Sequence, residues 1–360
     1  MRMKIVWLFV IVFLFLLTCE SFCNVESKDA KKEQVELFIV EQNGKLGYIN
    51  AKGEIVINPQ FNFSSGFFEE MAVQRTEETE QGWSRWGYID RSGKYAINPQ
   101  FDCAERFSEG LAEVLTGAGR KGIICPEGGK WGYIDKTGKY VINPQFDSAQ
   151  SFSEGLAAVN IGQKWISPYS NEAGKWGYID KTGKYVIKRQ FDAVGSFSEG
   201  LAAVNIGWHK ESLSIRIGKW GYIDKTGKYV IKRQFDYAQS FFEGLAAVLS
   251  GVKMNFLFME VGKWGYIDKT GKYVIKPQFD AVWRFSEGLA PVCIGIKKRG
   301  FFPGNSEGGK CGYIDKTGKM VIKPQFDSAL PFSKGVAGVW IGEKYGYIDK
   351  SGIYVWNPTN

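Results

Sequence analysis

Few residues of this chain have side chains suited to catalysis or metal binding and also lie outside a repeated pattern. The only histidine is His209, and the sequence offers no assignable partners with which it could form a catalytic triad or a metal site. Most carboxylates instead recur at fixed places in a repeated pattern, as Asp135, Asp180 and Asp224 do. A hydrolase or transferase needs a few polar residues that converge on one site. We therefore expect a protein that is not an enzyme and that binds no cofactor.

The recurring aspartates open the sequence Asp-Lys-Thr-Gly, which predicts a tight turn. The Asp side chain can accept a local backbone hydrogen bond, and the Gly can adopt positive φ. A calcium loop would place oxygen ligands at alternate positions, which this sequence does not do. The turn is therefore preferred to a metal site.

Two further sets of charged residues recur with the repeats. The glutamates of the sequence Phe-Ser-Glu-Gly are interpreted as turn or solvated residues. They are Glu109, Glu154, Glu199, Glu243 and Glu287, and Lys334 stands at the same position in the copy that follows Glu287. Lysines flank the tight turns, as Lys136 and Lys139 do, and are interpreted as solvated tips of a positive rim. The net charge of +8 is modest for 360 residues, and the aromatics needed to interleave with such charges are expected to be buried, so no nucleic-acid partner is expected.

Cysteines offer one specific pairing. The repeated part contains Cys103, Cys125, Cys293 and Cys311, none of them in a Cys-x-x-Cys pair, so zinc and thioredoxin chemistry lack support. Cys293 and Cys311 fall on strands that we expect to pair. In an exported chain they could form a cross-strand disulfide; alternatively, Cys311 is a small buried residue at a position usually held by Trp.

All these residues are positioned by an internal repeat. The sequence Gly-Tyr-Ile occurs eight times, at Gly47, Gly87, Gly132, Gly177, Gly221, Gly265, Gly312 and Gly346, with spacings of 40, 45, 45, 44, 44, 47 and 34 residues. Such a period is typical of propellers and stacked arrays. The sequence predicts one continuous array over residues 36–360, because no linker separates the copies.

Each copy predicts a three-stranded antiparallel meander. The strands are Leu-Ala-Ala-Val, Lys-Trp-Gly-Tyr-Ile-Asp and Lys-Tyr-Val-Ile, after which Pro144 and its counterparts are expected to break the ladder. Both faces are apolar, so each sheet should pack between neighbours. We expect the repeated Trp side chains to be wedged between units, in space left by Gly132 and the Ala pairs. Trp176→Ala should then cost roughly 3–5 kcal/mol.

The fold class is therefore all-β, and two architectures satisfy the pattern. Eight units lie within the range of propeller blade numbers, which favours a propeller-like ring. An open β-solenoid is the alternative, since the first and last copies depart from the others as the caps of a stack do.

The N-terminus predicts export. Arg2 and Lys4 precede thirteen apolar residues, 5–17, which is too short for a spanning helix and fits a signal peptide. The sequence ending in Cys19 is similar to the lipobox of bacterial lipoproteins, although Thr18 stands where a smaller residue is usual. Residues 1–18 are thus predicted to be the signal, Cys19 the lipidated residue and 19–35 a tether. A secreted or periplasmic protein is the alternative.

The repeat resembles the WG (or KWG) repeat of bacterial proteins. The resemblance rests on the pattern Lys-Trp-Gly-Tyr-Ile-Asp-Lys-Thr-Gly-Lys-Tyr-Val-Ile-x-Pro-Gln-Phe-Asp, and it covers the chain from about residue 36 onward. It implies a β-rich repeat module without a settled activity. Arg189 and Arg233 depart from the pattern, because they replace the Pro.

Function is expected at the variable connections between the Leu-Ala-Ala-Val strand and the next Lys-Trp-Gly strand, which should emerge on one edge. These connections contain residues that the repeat does not explain: Trp165, Tyr169, Trp208, His209, Phe256, Phe258, Phe301 and Phe302. Exposed aromatics suit protein or sugar contacts. The predicted function is an exported, non-enzymatic scaffold that binds a protein or polysaccharide of the cell envelope. A structural envelope protein without a specific ligand is the alternative.

Overall fold

The structure, a computed structural model, describes residues 36–50, 52–78, 84–120, 125, 127–162, 164–167, 170–172, 174–211, 215–254, 259–260, 262–298 and 306–359. All regular elements within these ranges are β-strands, and no helix among them is long and apolar enough to cross a membrane. The predicted signal, Cys19 and the predicted tether lie outside the described residues. The chain divides into two compact units, one ending at Phe191 and the other beginning at Asp192.

The N-terminal unit contains four antiparallel sheets, built from strands that follow one another along the chain. The strands of sheets 1 and 2 are β1 (Phe38–Gln42), β2 (Lys45–Ile49), β3 (Ile55–Phe61), β4 (Phe63–Ser64), β5 (Ala72–Arg75), β6 (Trp86–Ile89) and β7 (Tyr95–Phe101). Those of sheets 3 and 4 are β8 (Cys103–Ala104), β9 (Ala112–Arg120), β10 (Glu127–Ile134), β11 (Tyr140–Phe146), β12 (Ser148–Ala149), β13 (Ala157–Ile161), β14 (Lys164–Ser167), β15 (Ser170–Glu172), β16 (Lys175–Ile179) and β17 (Tyr185–Phe191).

The C-terminal unit contains four more antiparallel sheets. Sheets 5 and 6 use β18 (Ala193–Val194), β19 (Ala202–Glu211), β20 (Ile215–Ile223), β21 (Tyr229–Phe235), β22 (Tyr237–Phe242), β23 (Leu245–Ser250), β24 (Lys253–Met254), β25 (Met259–Glu260), β26 (Lys263–Ile267) and β27 (Tyr273–Phe279). Sheets 7 and 8 use β28 (Ala281–Val282), β29 (Leu289–Ile294), β30 (Lys297–Lys298), β31 (Ser306–Glu307), β32 (Lys310–Asp315), β33 (Met320–Phe326), β34 (Ser328–Ala329), β35 (Val336–Ile341), β36 (Lys344–Asp349) and β37 (Tyr354–Thr359).

The fold class is an all-β propeller with these eight sheets as blades 1–8, which confirms the architecture that the sequence favoured. The strand count differs from the prediction. Blades 2–8 have four main strands and only blade 1 has three. The additional strand is a short first strand, such as β12, which pairs with the end of the Leu-Ala-Ala-Val strand. The blades are numbered in chain order, and the four strands of each are called first to fourth.

The fourth strand continues through the proline that was expected to end it. In blade 3, Trp131 pairs with Phe146 and Tyr133 pairs with Ile142, so one residue of β10 lies opposite three residues of β11. The extra residues form a β-bulge around Pro144. A bulge leaves backbone groups outside the regular ladder, which is why a residue without an N–H is accepted there. The expected break is therefore a bulge within a longer strand.

The Gly of each Trp-Gly pair makes room for this bulge. A Cβ on Gly132 would lie 2.7 Å from both the Ile142 carbonyl oxygen and the Pro144 nitrogen, far closer than real Cβ atoms approach backbone. The expectation that Gly132 makes room for an indole of the next unit is wrong. The glycine instead allows the fourth strand of its own blade to approach.

The core aromatic is the tyrosine of Gly-Tyr-Ile, and the tryptophan is secondary. Seven of these tyrosines are completely buried: Tyr48, Tyr88, Tyr133, Tyr178, Tyr222, Tyr266 and Tyr313. Trp86 and Trp220 are buried, whereas Trp131, Trp176 and Trp264 are only partly buried. The prediction that the indoles belong to the core is confirmed for Trp86 and Trp220. Trp131 and Trp264 pack against core clusters while remaining partly exposed, so the indoles contribute less to the core than the tyrosines do.

Six core tyrosines also donate a hydrogen bond to a backbone carbonyl of the next blade: Tyr48, Tyr88, Tyr133, Tyr222, Tyr266 and Tyr313. The Tyr133 hydroxyl donates to the Gln150 carbonyl of blade 4 at 2.8 Å, and the Tyr266 hydroxyl donates to the Trp283 carbonyl of blade 7 at 2.8 Å. A buried hydroxyl without a partner would be costly. This bond therefore fixes neighbouring blades within a unit while it satisfies a polar group in the core.

The repeated glutamates and lysines form a second contact between blades. Glu109 of blade 3 accepts the Gly155 N–H of blade 4 at 3.0 Å and pairs with Lys181 of blade 4 at 3.2 Å. Similar pairs join Glu243 with Lys316 and Glu287 with Lys350. The glutamates are turn residues with positive φ, as one of the two predicted interpretations had it. The lysine side chains remain exposed, but both sets also link blades, which the sequence did not predict.

Candidate functional site

The variable connections emerge at one end of each blade. In an antiparallel sheet, the connection from second to third strand lies at the end opposite both the first-to-second turn and the third-to-fourth turn. The Glu–Lys contacts occupy the end with those two turns. The opposite end, called here the hairpin edge, carries the second-to-third connections, several of which continue as β-hairpins: β14–β15, β24–β25 and β30–β31. The variable connections thus emerge on one edge within each unit, as predicted, and three of them continue as separate hairpins.

In blades 3–8, an aspartate that recurs in the repeat accepts a backbone N–H at the base of the second-to-third connection. In blade 7, Asp280 accepts the Ile296 N–H at 3.2 Å, and its other oxygen accepts the Lys263 ammonium at 2.5 Å. In blade 8, the Lys310 ammonium and then the Gly342 N–H lower the pKa of the Asp327 carboxyl. A charged carboxylate that accepts a backbone N–H is a strong anchor. The hairpin bases are consequently held alike, whatever the sequence of the tips.

The predicted binding residues lie on this edge or outside the described residues. Trp165 is in β14, opposite Asn171. Trp208 and His209 are in β19, where His209 pairs with Ile217 of β20. Five further predicted residues lie outside the described residues: Tyr169, Phe256, Phe258, Phe301 and Phe302. The structure therefore places three of the eight on the hairpin edge, on blades 4 and 5.

Both cysteine pairs of the array are joined. Cys293 and Cys311 face each other on β29 and β32 and form a disulfide. Cys103 and Cys125 form a second disulfide, which sequence reasoning missed because the parsing gave no paired position for Cys125. The Cys293–Cys311 bond closes the second-to-third connection of blade 7, whereas the Cys103–Cys125 bond joins that connection of blade 3 to the first strand, β8.

A basic cavity at the base of the blade 4 hairpin was also missed. Its volume is about 500 Å³, and it is lined by Ile161, Lys175, Tyr185, Lys188 and Arg189. The Tyr185 hydroxyl oxygen is buried and has no hydrogen-bond partner. The signal in the sequence was Arg189, which replaces the usual Pro.

A buried carboxyl lies between blades 3 and 4. Glu113 occupies a position that is Ala in several copies and is 3% exposed. Ser151 donates to one of its oxygens at 2.8 Å, whereas the other oxygen has no partner. Burial, followed by the nearby charge of Glu105, raises the pKa of the Glu113 carboxyl to about 8. This residue is therefore protonated at neutral pH.

The repeated aspartates are turn residues, as predicted. Asp135 Oδ1 accepts the Thr137 N–H at 2.9 Å and the Thr137 hydroxyl at 2.6 Å. These bonds, led by that of the hydroxyl, lower the pKa of the Asp135 carboxyl. Within the described ranges, no group of three or more His, Cys, Asp or Glu side chains is arranged to hold a metal ion.

Repeated antiparallel blades with anchored hairpins define a class of protein, the repeat β-propeller scaffold. The WG-containing repeat matches seven segments: residues 47–73, 86–117, 131–165, 176–207, 220–251, 264–297 and 312–345. These segments cover more than half of the chain, which therefore belongs to the WG-repeat family.

Solved structures support the same fold class. A chain described as the crystal structure of the eukaryotic initiation factor is similar, with a TM-score of 0.56 and 11% sequence identity, over 90% of this chain and 86% of that chain. At this identity the likeness concerns the fold alone. No curated protein matches the sequence.

Proposed function

We propose that this protein is a non-enzymatic binding scaffold that engages a protein or glycan of the cell envelope through its hairpin edge. One observation carries the proposal. The Asp anchors hold the hairpin bases alike in successive blades, whereas the tips differ in length and sequence. A common frame with variable tips is the arrangement that repeat proteins use for recognition.

Export and membrane attachment are part of the proposal. The apolar segment 5–17 and the sequence around Cys19 support a lipoprotein signal, and two disulfides in the array suit an oxidising compartment. Cys19→Ala should leave the protein unlipidated and move it from the membrane fraction to the soluble fraction. Unchanged membrane attachment of Cys19→Ala would reject the lipoprotein assignment.

Aromatic residues of the tips provide the test of recognition. Alanine is introduced at Trp208, Phe301 and Phe302 together, and sedimentation measures binding of the purified chain to isolated envelope. A matched control replaces three exposed valines of fourth strands by alanine: Val141, Val274 and Val321. We expect at least a tenfold loss of affinity in the aromatic variant alone, with unchanged melting temperature.

Two outcomes would contradict the proposal. Undiminished binding of the aromatic variant would favour the alternative function, a structural envelope protein without a specific ligand. An equal loss in the valine control would show that any reduction of exposed apolar surface weakens binding, which is not recognition by the hairpin tips.

A further inference from the structure

The Tyr185 hydroxyl differs from its counterparts in blades 3 and 6 in one respect. In blade 3, the Tyr140 hydroxyl and the Thr116 side chain form a hydrogen bond. In blade 6, the Tyr273 hydroxyl bonds to the Ser250 hydroxyl at 2.7 Å. The second strand thus supplies a hydroxyl partner in both blades, and the tyrosine needs nothing from outside.

In blade 4, the second strand has no hydroxyl group at this position. Ile161 pairs with Lys175, the same register position that Thr116 occupies opposite Lys130 in blade 3. An isoleucine side chain cannot bond to a hydroxyl, and the Tyr185 oxygen is left buried and unpaired. Such a group costs free energy unless it finds a partner. The missing partner therefore points to a ligand.

Blade 4 also adds positive charge beside the same hydroxyl. Arg189 stands where blade 3 has Pro144, and one of its guanidinium nitrogens donates to the Ile161 carbonyl at 3.4 Å. That contact fixes the side chain over the cavity and leaves the remaining donors of the guanidinium for other acceptors. Lys188 and Lys175 complete the lining. Relative to blade 3, Ile161 replaces a residue with a hydroxyl group, and Arg189 replaces a proline. The site in blade 4 therefore has hydrogen-bond donors that lack an acceptor, whereas the tyrosine hydroxyl of blade 3 has its partner within the protein.

Blade 5 has the same arrangement. The Tyr229 hydroxyl is buried without a partner, Ile206 occupies the position equivalent to Ile161, and the Arg233 guanidinium donates to the Ile206 carbonyl at 2.9 Å. The three changes therefore occur together in two copies.

We propose that blade 4 carries a subsite for an acidic sugar of a polysaccharide. The carboxylate or sulfate group of the sugar binds Arg189, Lys188 and Lys175 and accepts a hydrogen bond from the Tyr185 hydroxyl. The guanidinium fork matches a planar carboxylate or a sulfate with two parallel hydrogen bonds. A volume of about 500 Å³ lies within the roughly 300–1,000 Å³ usual for small-molecule sites, and it can hold a sugar ring.

Nucleic acid fits the subsite less well. Non-specific binding of single strands uses exposed aromatic faces on which bases stack. The Tyr185 ring is packed against the apolar cluster that contains Ile142 and Ile179, and the other residues that line the cavity are not aromatic. The inference goes beyond the proposed function, because the subsite lies at the hairpin base and on the fourth strand instead of the tips.

Reciprocal exchanges between copies provide the test. In the full-length chain, R189P/R233P introduces the residue of the other blades, and I161T/I206T supplies the missing hydroxyl without any change in charge. The control K139Q/K272Q removes the same charge as the arginine variant from exposed turns. Dextran sulfate, polygalacturonate, neutral dextran and a single-stranded oligonucleotide are the probes, with affinity measured by calorimetry.

We expect the arginine variant to lose about tenfold or more in affinity for an acidic polysaccharide, and the threonine variant about threefold or more. The lysine control should bind as the wild type does, and neutral dextran should not bind. Circular dichroism checks folding, and R189Q/R233Q replaces R189P/R233P if the prolines unfold a blade.

Three results would overturn the inference. They are wild-type affinity in both the arginine and threonine variants, an equal loss in the lysine control, and binding of the oligonucleotide alone. Failure of the proposed function is separate, because it is measured with the aromatic variants of the tips and isolated envelope.

Discussion

Gly132 lies against the carbonyl of Ile142 on the neighbouring strand, so closely that a Cβ on the glycine would be 2.7 Å from that oxygen. The contact arises because the bulge around Pro144 pushes the fourth strand toward the third. The Gly after Trp and the Pro before Gln-Phe-Asp are separate in the repeat, but they act together: the Pro lies in the bulge, and the Gly leaves the space that the bulge needs.

Gly132→Ala should destabilise the protein by about 2–4 kcal/mol, because the new methyl group would displace backbone instead of a flexible side chain. Gly119→Ala in the same blade is the control, since nothing lies within 4 Å of its added Cβ. Chemical denaturation followed by tryptophan fluorescence measures both. Equal small losses would show that the bulge moves at little cost.

Tyr178→Ala should cost more than Trp176→Ala, the reverse of what a dominant indole would give. Tyr178 is completely buried, whereas Trp176 is partly exposed. We expect about 3–5 kcal/mol for the tyrosine and about 1–3 kcal/mol for the tryptophan, from urea unfolding. A larger loss for the tryptophan would restore the indole as the main wedge between blades.

Glu243 should contribute modestly to the contact between blades 6 and 7. Its carboxylate accepts the Gly288 N–H at 3.0 Å and pairs with Lys316 at 3.0 Å, with both side chains about a third exposed or more. Glu243→Gln, which keeps an acceptor, should cost about 0.5 kcal/mol, and Glu243→Ala about 1–2 kcal/mol. Thermal unfolding at low and high salt separates the two. An effect of the glutamine variant that does not weaken with salt would argue against the ion pair.

Glu113 should make stability fall as pH rises through neutrality. Its folded pKa of about 8 lies above the usual value of 4.5. Between these values the folded chain holds a proton that the unfolded chain has lost, so the free energy of unfolding decreases as pH rises and levels off above about pH 8.

Glu113→Gln should remove this dependence and raise stability at pH 8 by about 2–4 kcal/mol, with little change at pH 4. Denaturation at a series of pH values measures it, and Glu41→Gln, an exposed residue of β1, is the control. The assignment fails if wild-type and Glu113→Gln stabilities run parallel across the series.

Both disulfides should be found in the protein after export. Mass spectrometry of non-reduced peptides should show Cys103 linked to Cys125 and Cys293 linked to Cys311. Reduction should then lower stability, by about 3 kcal/mol for a loop of 18 residues. Free thiols at all four positions would remove both bonds and the support they give to an oxidising compartment.

The sequence by itself determined the features that depend on near neighbours. The period of Gly-Tyr-Ile predicted eight antiparallel units, and Asp135 with Gly138 predicted the turn between their strands, because a turn and the hairpin it joins are decided within a few residues. The repeated pattern was also sufficient to identify the family.

Only the tertiary structure decided which face of each strand is covered and by what. Alternation placed Trp131 and Tyr133 on one face, but it could not show that the tyrosine is central and the indole marginal. Glu109 and Lys181 are 72 residues apart, and Tyr185 lost its hydroxyl partner on a different strand. These relationships depend on distances between blades and strands that no local pattern encodes, since packing is set by the shape of the neighbour as well as by the residue itself.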